Sequence, residues 1–247
     1  MLFTEPIVAF LGLYVGFNFA VLYSFFAAFP LVFESVYHFS IETSSLVFLA
    51  VGVGNLLSVP TVLLCDRYLY QPQVRKSKED GREGIVAPEY RLYPAMMGSI
   101  GLPVGLFVSV PITFSFSSSI LCTLQRLTHQ QWFAWTARSS THWISPVLAA
   151  IPFAWGNLCI FVSAANYLID TYKALNGASA VAANGLSRYT MGAVFPLFTI
   201  QMYGRLGIVW ATSLLAFISL AMLPLPWVLF KWGPQVRARS GYDTLKA

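Results

Sequence analysis

Few side chains in this sequence have both the type and the setting to do chemistry. They are amides, a phenol and a handful of charges. Asn18, Asn55, Asn157, Asn166 and Asn184 interrupt long apolar runs, and Tyr14 precedes Asn18 by one helical turn, so the two share a face. An amide in apolar surroundings is costly unless it is paired or turned toward a polar cavity. Tyr14, Asn18 and Asn157 are therefore read as contacts for a bound small molecule, with hydrogen bonds between helices as the equal alternative. Asp66, Asp170 and Arg188 are read as charges near the ends of apolar runs. They suit ion pairs that hold one end of a helix assembly closed, Asp170–Arg188 being the expected pair, or simple end-of-helix charges. Covalent and metal chemistry are poorly supported. His38, His129 and His142 are scattered, no serine has a GxSxG context, and there is no phosphate loop. Cys65, Cys122 and Cys159 form neither a CxxC nor a Cys/His cluster. The expectation is a protein that is not an enzyme and has neither metal nor cofactor.

The elements that must carry these residues are apolar and long. Of the 247 residues, 57% are hydrophobic and 10% charged, where a soluble domain has about 25% charged. Such a chain cannot make a polar surface, so its solvent is the lipid bilayer. Apolar segments run from Pro6 to Phe33, Ser45 to Cys65, Leu92 onward, Trp143 to Leu168, Ala178 to Met202 and Ile208 to Phe230. They are apolar all round rather than alternating, which excludes barrel strands and leaves helices. The predicted fold class is an all-α membrane protein with six transmembrane helices. Small-residue stretches, "VGVGN" at Val51–Asn55 and "GASAVAANG" at Gly177–Gly185, suit close helix contact. Pro30, Pro60, Gly101-Leu102-Pro103, Pro152 and Pro196 are candidate hinges or static kinks. No signal peptide is read at the first residues, MLFTEPIVAFLG, which lack a positive region and a cleavage site.

The net charge of +5 is carried mostly between the apolar segments. The one long hydrophilic stretch, residues 66–91, holds Arg67, Arg75, Lys76, Lys78, Arg82 and Arg91. Lys173 lies in a short connection, and Lys231, Arg237, Arg239 and Lys246 in the tail, residues 231–247. Six crossings put all three regions on one side. The excess of Lys and Arg makes that side the cytoplasm, with both termini in it. The charge is thus an orientation signal. No basic-aromatic stripe exists for nucleic acid.

The third segment is interrupted by residues 108–131, serine-rich and ending in Arg126, His129, Gln130 and Gln131. Without them the segment is about one membrane thickness long. With them, a further crossing would invert all that follows, against the charge bias. Val108-Ser109 can be encoded with a usual intron start, Leu127-Thr128 with a branch sequence and Gln131 with an acceptor. The stretch is read as an unspliced intron carried into the frame, with a re-entrant or extracellular loop as the alternative.

Several stretches resemble the C-terminal half, helices seven to twelve, of a fungal major facilitator superfamily transporter, in the drug:proton antiporter group that includes multidrug and polyamine exporters. "TEPIVAFLGLYVGFNFAVLYSFFAAFPLVF" looks like the seventh helix. "PEYRL" with "GLPVGLF…WFAWT" looks like the start and body of the ninth. "FVSAANYLIDTY", "ASAVAANGLSRYTMGAVFPLF" and "LGIVWATSLLAF" look like the tenth, eleventh and twelfth. The resemblance implies six helices forming one half of that fold. It implies export of a small-molecule substrate (drugs, polyamines or secondary metabolites) by alternating access, driven by protons from a proton gradient at the plasma membrane. It also implies a partner, the missing N-terminal six-helix half. The competing expectation is a truncated, non-transporting fragment or an artefact of gene prediction that at most binds a full-length transporter.

Overall fold

The computed structural model describes residues 2, 4–81, 86–107, 143–238, 240 and 242. The interrupting stretch 108–131 and the side chains of Arg138, His129 and Cys122 lie outside them. Every regular element among the described residues is helical.

Helix α1 (Pro6–Tyr37) begins with proline in its first turn, where a missing N–H costs nothing, and ends at His38 in the left-handed conformation (φ 55°). A short α2 (Ile41–Leu46) leads into α3 (Phe48–Cys65). The stretch expected as a hydrophilic loop, residues 66–91, is largely helical. A π-helical turn, Asp66–Tyr70, continues α3 into α4 (Gln71–Glu79), and a 3-10 turn, Pro88–Leu92, opens α5 (Tyr93–Phe107). α6 (Ile144–Met222) runs for 79 residues, and α7 (Leu225–Ala238) follows it.

α6 is not straight. A methyl placed on Gly177 would lie 3.4 Å from the Cα of Ile169, although eight residues of straight helix span about 12 Å. The Tyr203 and Thr212 hydroxyls are 3.1 Å apart, where nine residues would rise about 13 Å. Gly207 sits between them at φ +74°, a conformation glycine adopts without a Cβ penalty. The run therefore reverses twice, before Gly177 and at Gly207, and has three legs. The fourth, fifth and sixth apolar segments are these legs. The connection expected around Lys173 is helical, and the second reversal is made at Gly207.

Four stretches among the described residues are long and apolar enough to cross a membrane: Pro6–Pro30, Ser44–Glu79, Val147–Tyr172 and Trp210–Ala238. Their outer faces are apolar, with Leu56 and Trp210 72% and 68% exposed, and so is that of the second leg of α6, where Leu197 is 74% exposed. A surface of this kind is stable against hydrocarbon, not water.

The core lies between α1 and α6. Phe25 meets Phe153 edge-on at 4.9 Å and stacks on Phe29 at 5.0 Å, and Phe17 meets Phe195 at 6.4 Å. Second to this seam is the crossing of α5 with the first leg of α6, where backbones touch. A Cβ on Gly98 would fall 2.8 Å from the carbonyl oxygen of Gly156, and one on Gly101 would fall 2.7 Å from that of Pro152. Gly54 of α3 packs in the same way against Ile151 and Ala154. The expected small-residue stretches divide: Gly54 belongs to a tight contact, but Gly52 has nothing within 4 Å, and Gly177 and Gly185 make only ordinary contacts. The helices run through Pro30, Pro60, Pro103, Pro152 and Pro196.

Candidate functional site

The antiparallel course of the rods brings Glu5 at the start of α1, Asp66 at the end of α3, the turn before α5, Asp170 and Tyr172 in α6, and the end of α7 to one end of the molecule. Their hydrogen bonds prove the proximity. Arg91 donates through Nη1 to Asp66 Oδ1 at 2.9 Å and through Nε to Asp170 Oδ2 at 2.8 Å. Its guanidinium lies 3.7 Å from the Tyr70 ring centre. The π-turn adds a residue to α3 at this point, and it carries both Asp66 and Tyr70. Burial opposes the charge on Arg91, but the hydrogen bond and charge of Asp170, with Tyr70 and Asp66, outweigh it and hold the guanidinium above its ordinary pKa.

In a 3-10 turn residues follow at about 120°, so Glu89 and Arg91 point different ways. Glu89 turns to α7, where Arg237 donates Nε to Oε1 and Nη2 to Oε2, each at 3.0 Å. Both side chains are 5% exposed. Gly233 makes room for the carboxylate: a Cβ there would be 2.7 Å from Glu89 Oε1. Burial raises the Glu89 carboxyl above the usual carboxylate range, against its backbone hydrogen bond and Arg237. A third knot joins Glu5 Oε2 to the hydroxyls of Tyr172 at 2.9 Å and Ser240 at 2.8 Å. The region expected as a polar tail thus begins as a docked helix.

The buried pair gives a stability prediction. Removing one partner leaves a buried group without its hydrogen bonds and costs about 3–5 kcal/mol, whereas replacing both by apolar residues is near neutral. Arg237→Leu should lower the melting temperature of the detergent-solubilised chain, and Glu89→Met with Arg237→Leu should recover most of the loss. Without Arg237, burial of Glu89 is opposed only by its backbone hydrogen bond, and the folded-state pKa rises further. The variant should then lose stability as pH rises through the window above the ordinary carboxylate value, because the folded chain holds the proton that the unfolded chain has released.

Beside Arg91 lies a cavity of about 210 Å³ between α3, α5 and the first leg of α6, lined by Cys65, Asp66, Tyr70, Arg91, Ser163 and Asn166. The buried Ser163 hydroxyl has no hydrogen-bond partner among the described residues.

The structure brings together some of the sequence-predicted residues and separates others. Asp66 and Asp170 do meet, through Arg91. The expected Asp170–Arg188 pair does not form, because Arg91 occupies that place on Asp170. Arg188 stands elsewhere, 11 residues past Gly177, about 16 Å along the second leg, and so is not at a helix end as expected. Tyr14, Asn18 and Asn157 are all buried. Asn157 Nδ2 donates to the main-chain carbonyl of Asn18 at 3.0 Å. The Asn18 side chain, 1% exposed, has neither amide atom partnered among the described residues. Sequence reasoning passed over Arg91, Glu89, Arg237 and Glu5. The available signal was positional: residues 66, 91 and 170 fall at successive ends of antiparallel rods.

The chain aligns with fungal transporters along nearly all its length. It is 38% identical to Polyamine transporter 4 of Saccharomyces cerevisiae over 270 aligned positions, covering 100% of the chain and 37% of that protein. It is 38% identical to the major facilitator superfamily multidrug transporter mdrA of Aspergillus fumigatus, covering 98% and 35%. It is 36% identical to the citrinin biosynthesis cluster MFS transporter ctnC of Monascus purpureus, covering 98% and 41%. The chain therefore spans little more than a third of the length of these curated relatives. No family model matches it, and no solved structure does. Identity at this level along an apolar, all-helical, multi-pass chain places it by descent: the chain belongs to the major facilitator superfamily of membrane transporters.

Proposed function

We propose that the chain is the C-terminal six-helix half of a proton-coupled exporter of small organic molecules that works by alternating access. α1, α3, α5 and the three legs of α6, the last continued by α7, supply the six crossings, with the Glu5–Arg91–Arg237 end in the cytoplasm and both termini there. The observation that carries the reading is the Asp66–Arg91–Asp170 cluster. It ties α3, the start of α5 and the first leg of α6 at one end by charge-assisted bonds that can break and reform. Its role is a gate at the cytoplasmic end that holds the outward-open state. The buried polar set Tyr14, Asn18 and Asn157 is assigned to substrate contact, with the unpartnered Asn18 amide as the group seeking a ligand.

Inside-out vesicles carrying the chain together with its upstream coding sequence test this. Accumulation of a fluorescent organic dye should follow an imposed pH gradient and collapse with a protonophore. Accumulation unaffected by the gradient would remove proton coupling. A second reading is favoured by the 37% coverage of the yeast relative: a non-transporting fragment that binds a full-length transporter. Under it, vesicles with the 247-residue chain alone show no uptake, and the chain co-purifies with the longer protein.

A further inference from the structure

We infer that Arg188 is the seat for the carboxylate of a transported organic acid, so that the substrates of this protein are anionic apolar compounds rather than polycations. This deepens the transporter reading, on which the word "substrate" rests.

Arg188 lies about 16 Å along the second leg of α6, far from either reversal. Its guanidinium carbon is 4.7 Å from the Phe19 ring centre, 4.6 Å from that of Phe161 and 4.6 Å from that of Tyr189. Those rings come from α1 and from two legs of α6. They hold the planar cation by stacking and cation–π attraction, but they give it no negative charge. Its only hydrogen bond among the described side chains is Nη2 to the Tyr189 hydroxyl at 2.8 Å. Nε is buried with no partner. No acid among the described residues pairs with it, and four of them are engaged at the other site: Asp66 and Asp170 by Arg91, Glu89 by Arg237, Glu5 by two hydroxyls.

A cation midway along an apolar helix leg, with no counter-charge among the described residues, is expensive in a protein that lipid surrounds, and such a group is held for what it binds. A void of about 50 Å³ adjoins it, bordered by Asn184, Gly185 and Phe161. That is room for a small head group, not a whole molecule. Asn184 lies one helical turn before Arg188 on the same face, so an amide donor and a guanidinium fork converge on the same space. Two directed donors with aromatic walls match a carboxylate on an apolar or aromatic body. A polycation would meet an uncompensated like charge.

The full 247-residue chain in lipid nanodiscs tests this with 2-naphthoate, its neutral isostere 2-naphthamide, and spermidine as the polycation, by displacement of an environment-sensitive dye. The acid should bind about tenfold or more tighter than the amide, the margin of a charge-assisted hydrogen bond, and spermidine should not compete. Arg188→Gln should erase the acid preference while leaving amide binding, and Arg188→Lys should keep part of it. Equal binding of acid and amide by the unaltered chain overturns the inference whatever the variants do. So does an acid preference that survives in folded Arg188→Gln. Neither result touches gradient-driven transport, which is read separately in vesicles.

Discussion

Leucine at Gly156 should prevent the chain from assembling into its native bundle. A Cβ at that position would run into the carbonyl oxygen of Gly98 and lie 3.1 Å from the amide nitrogen of Leu102 and 3.2 Å from the Cα of Gly101. All three neighbours are main chain, and none can rotate aside. Overpacking in a core costs about 1–3 kcal/mol when side chains can adjust. Here only separation of two rods makes room, so the loss should reach the top of that range or exceed it. Separation would also break the contacts of α5 with the first leg of α6, on which the placement of Arg91 beside Asp170 depends. The expected readout in detergent is loss of the monodisperse peak on size exclusion, or a collapse of the melting temperature. Gly52→Leu is the matched control, since nothing lies within 4 Å of its Cβ position, and it should behave like the unaltered chain. Equal tolerance of both substitutions would show that α5 and α6 do not cross where the structure has them.

The second large effect is expected at Arg91. Its removal takes away two charge-assisted hydrogen bonds and leaves Asp66 and Asp170 without the cation between them. Hydrogen bonds to charged groups contribute about 1.5–3 kcal/mol each. Loss of one such increment shifts a two-state gate by about 10- to 150-fold. Arg91→Ala should therefore open that end of the bundle. A cysteine placed at Ser163, on the wall of the adjacent cavity, should react markedly faster with a water-soluble thiol reagent. Gradient-driven transport should fall by about tenfold or more. Arg91→Lys keeps the charge but loses the fork that bridges two carboxylates, and should lie between. An Arg91→Ala protein with unchanged labelling and transport would reduce the cluster to a surface ion pair. Arg188→Asp should leave the cysteine labelling unchanged, because Arg188 takes no part in that cluster.

The class of the protein was legible in the sequence because lipid imposes a simple rule. A segment in hydrocarbon must be apolar all round and bond its own backbone, so length and composition alone identify the helices. The common end of the basic connectors follows from counting crossings. The structure agrees: the 3-10 turn of Arg91, the residues around Asp170 and the end of α7 meet through hydrogen bonds. The segment boundaries were less clear. Apolarity locates a rod but not its last turn, so Asp66–Glu79 and Lys231–Ala238, polar in composition, are helices.

Partnership was not legible, because it depends on the rotation of each rod about its own axis. Asp170 and Arg188 lie on adjacent legs and have opposite charges, yet Arg91 takes the carboxylate and Arg188 turns to a cage of rings. A shift of one residue rotates a helical side chain by about 100°, and in a chain apolar on every face no stripe records which rotation is adopted. Packing decides it, through contacts such as Gly98 on Gly156. The sequence by itself determined that this chain is a multi-pass set of apolar helices whose connecting cations Arg91 and Arg237 fall at one end. Only the tertiary structure decided, among the described residues, which charges are neutralised, which amide lacks a partner and which guanidinium is held by rings rather than by an acid, because those follow from how closely the backbones approach one another.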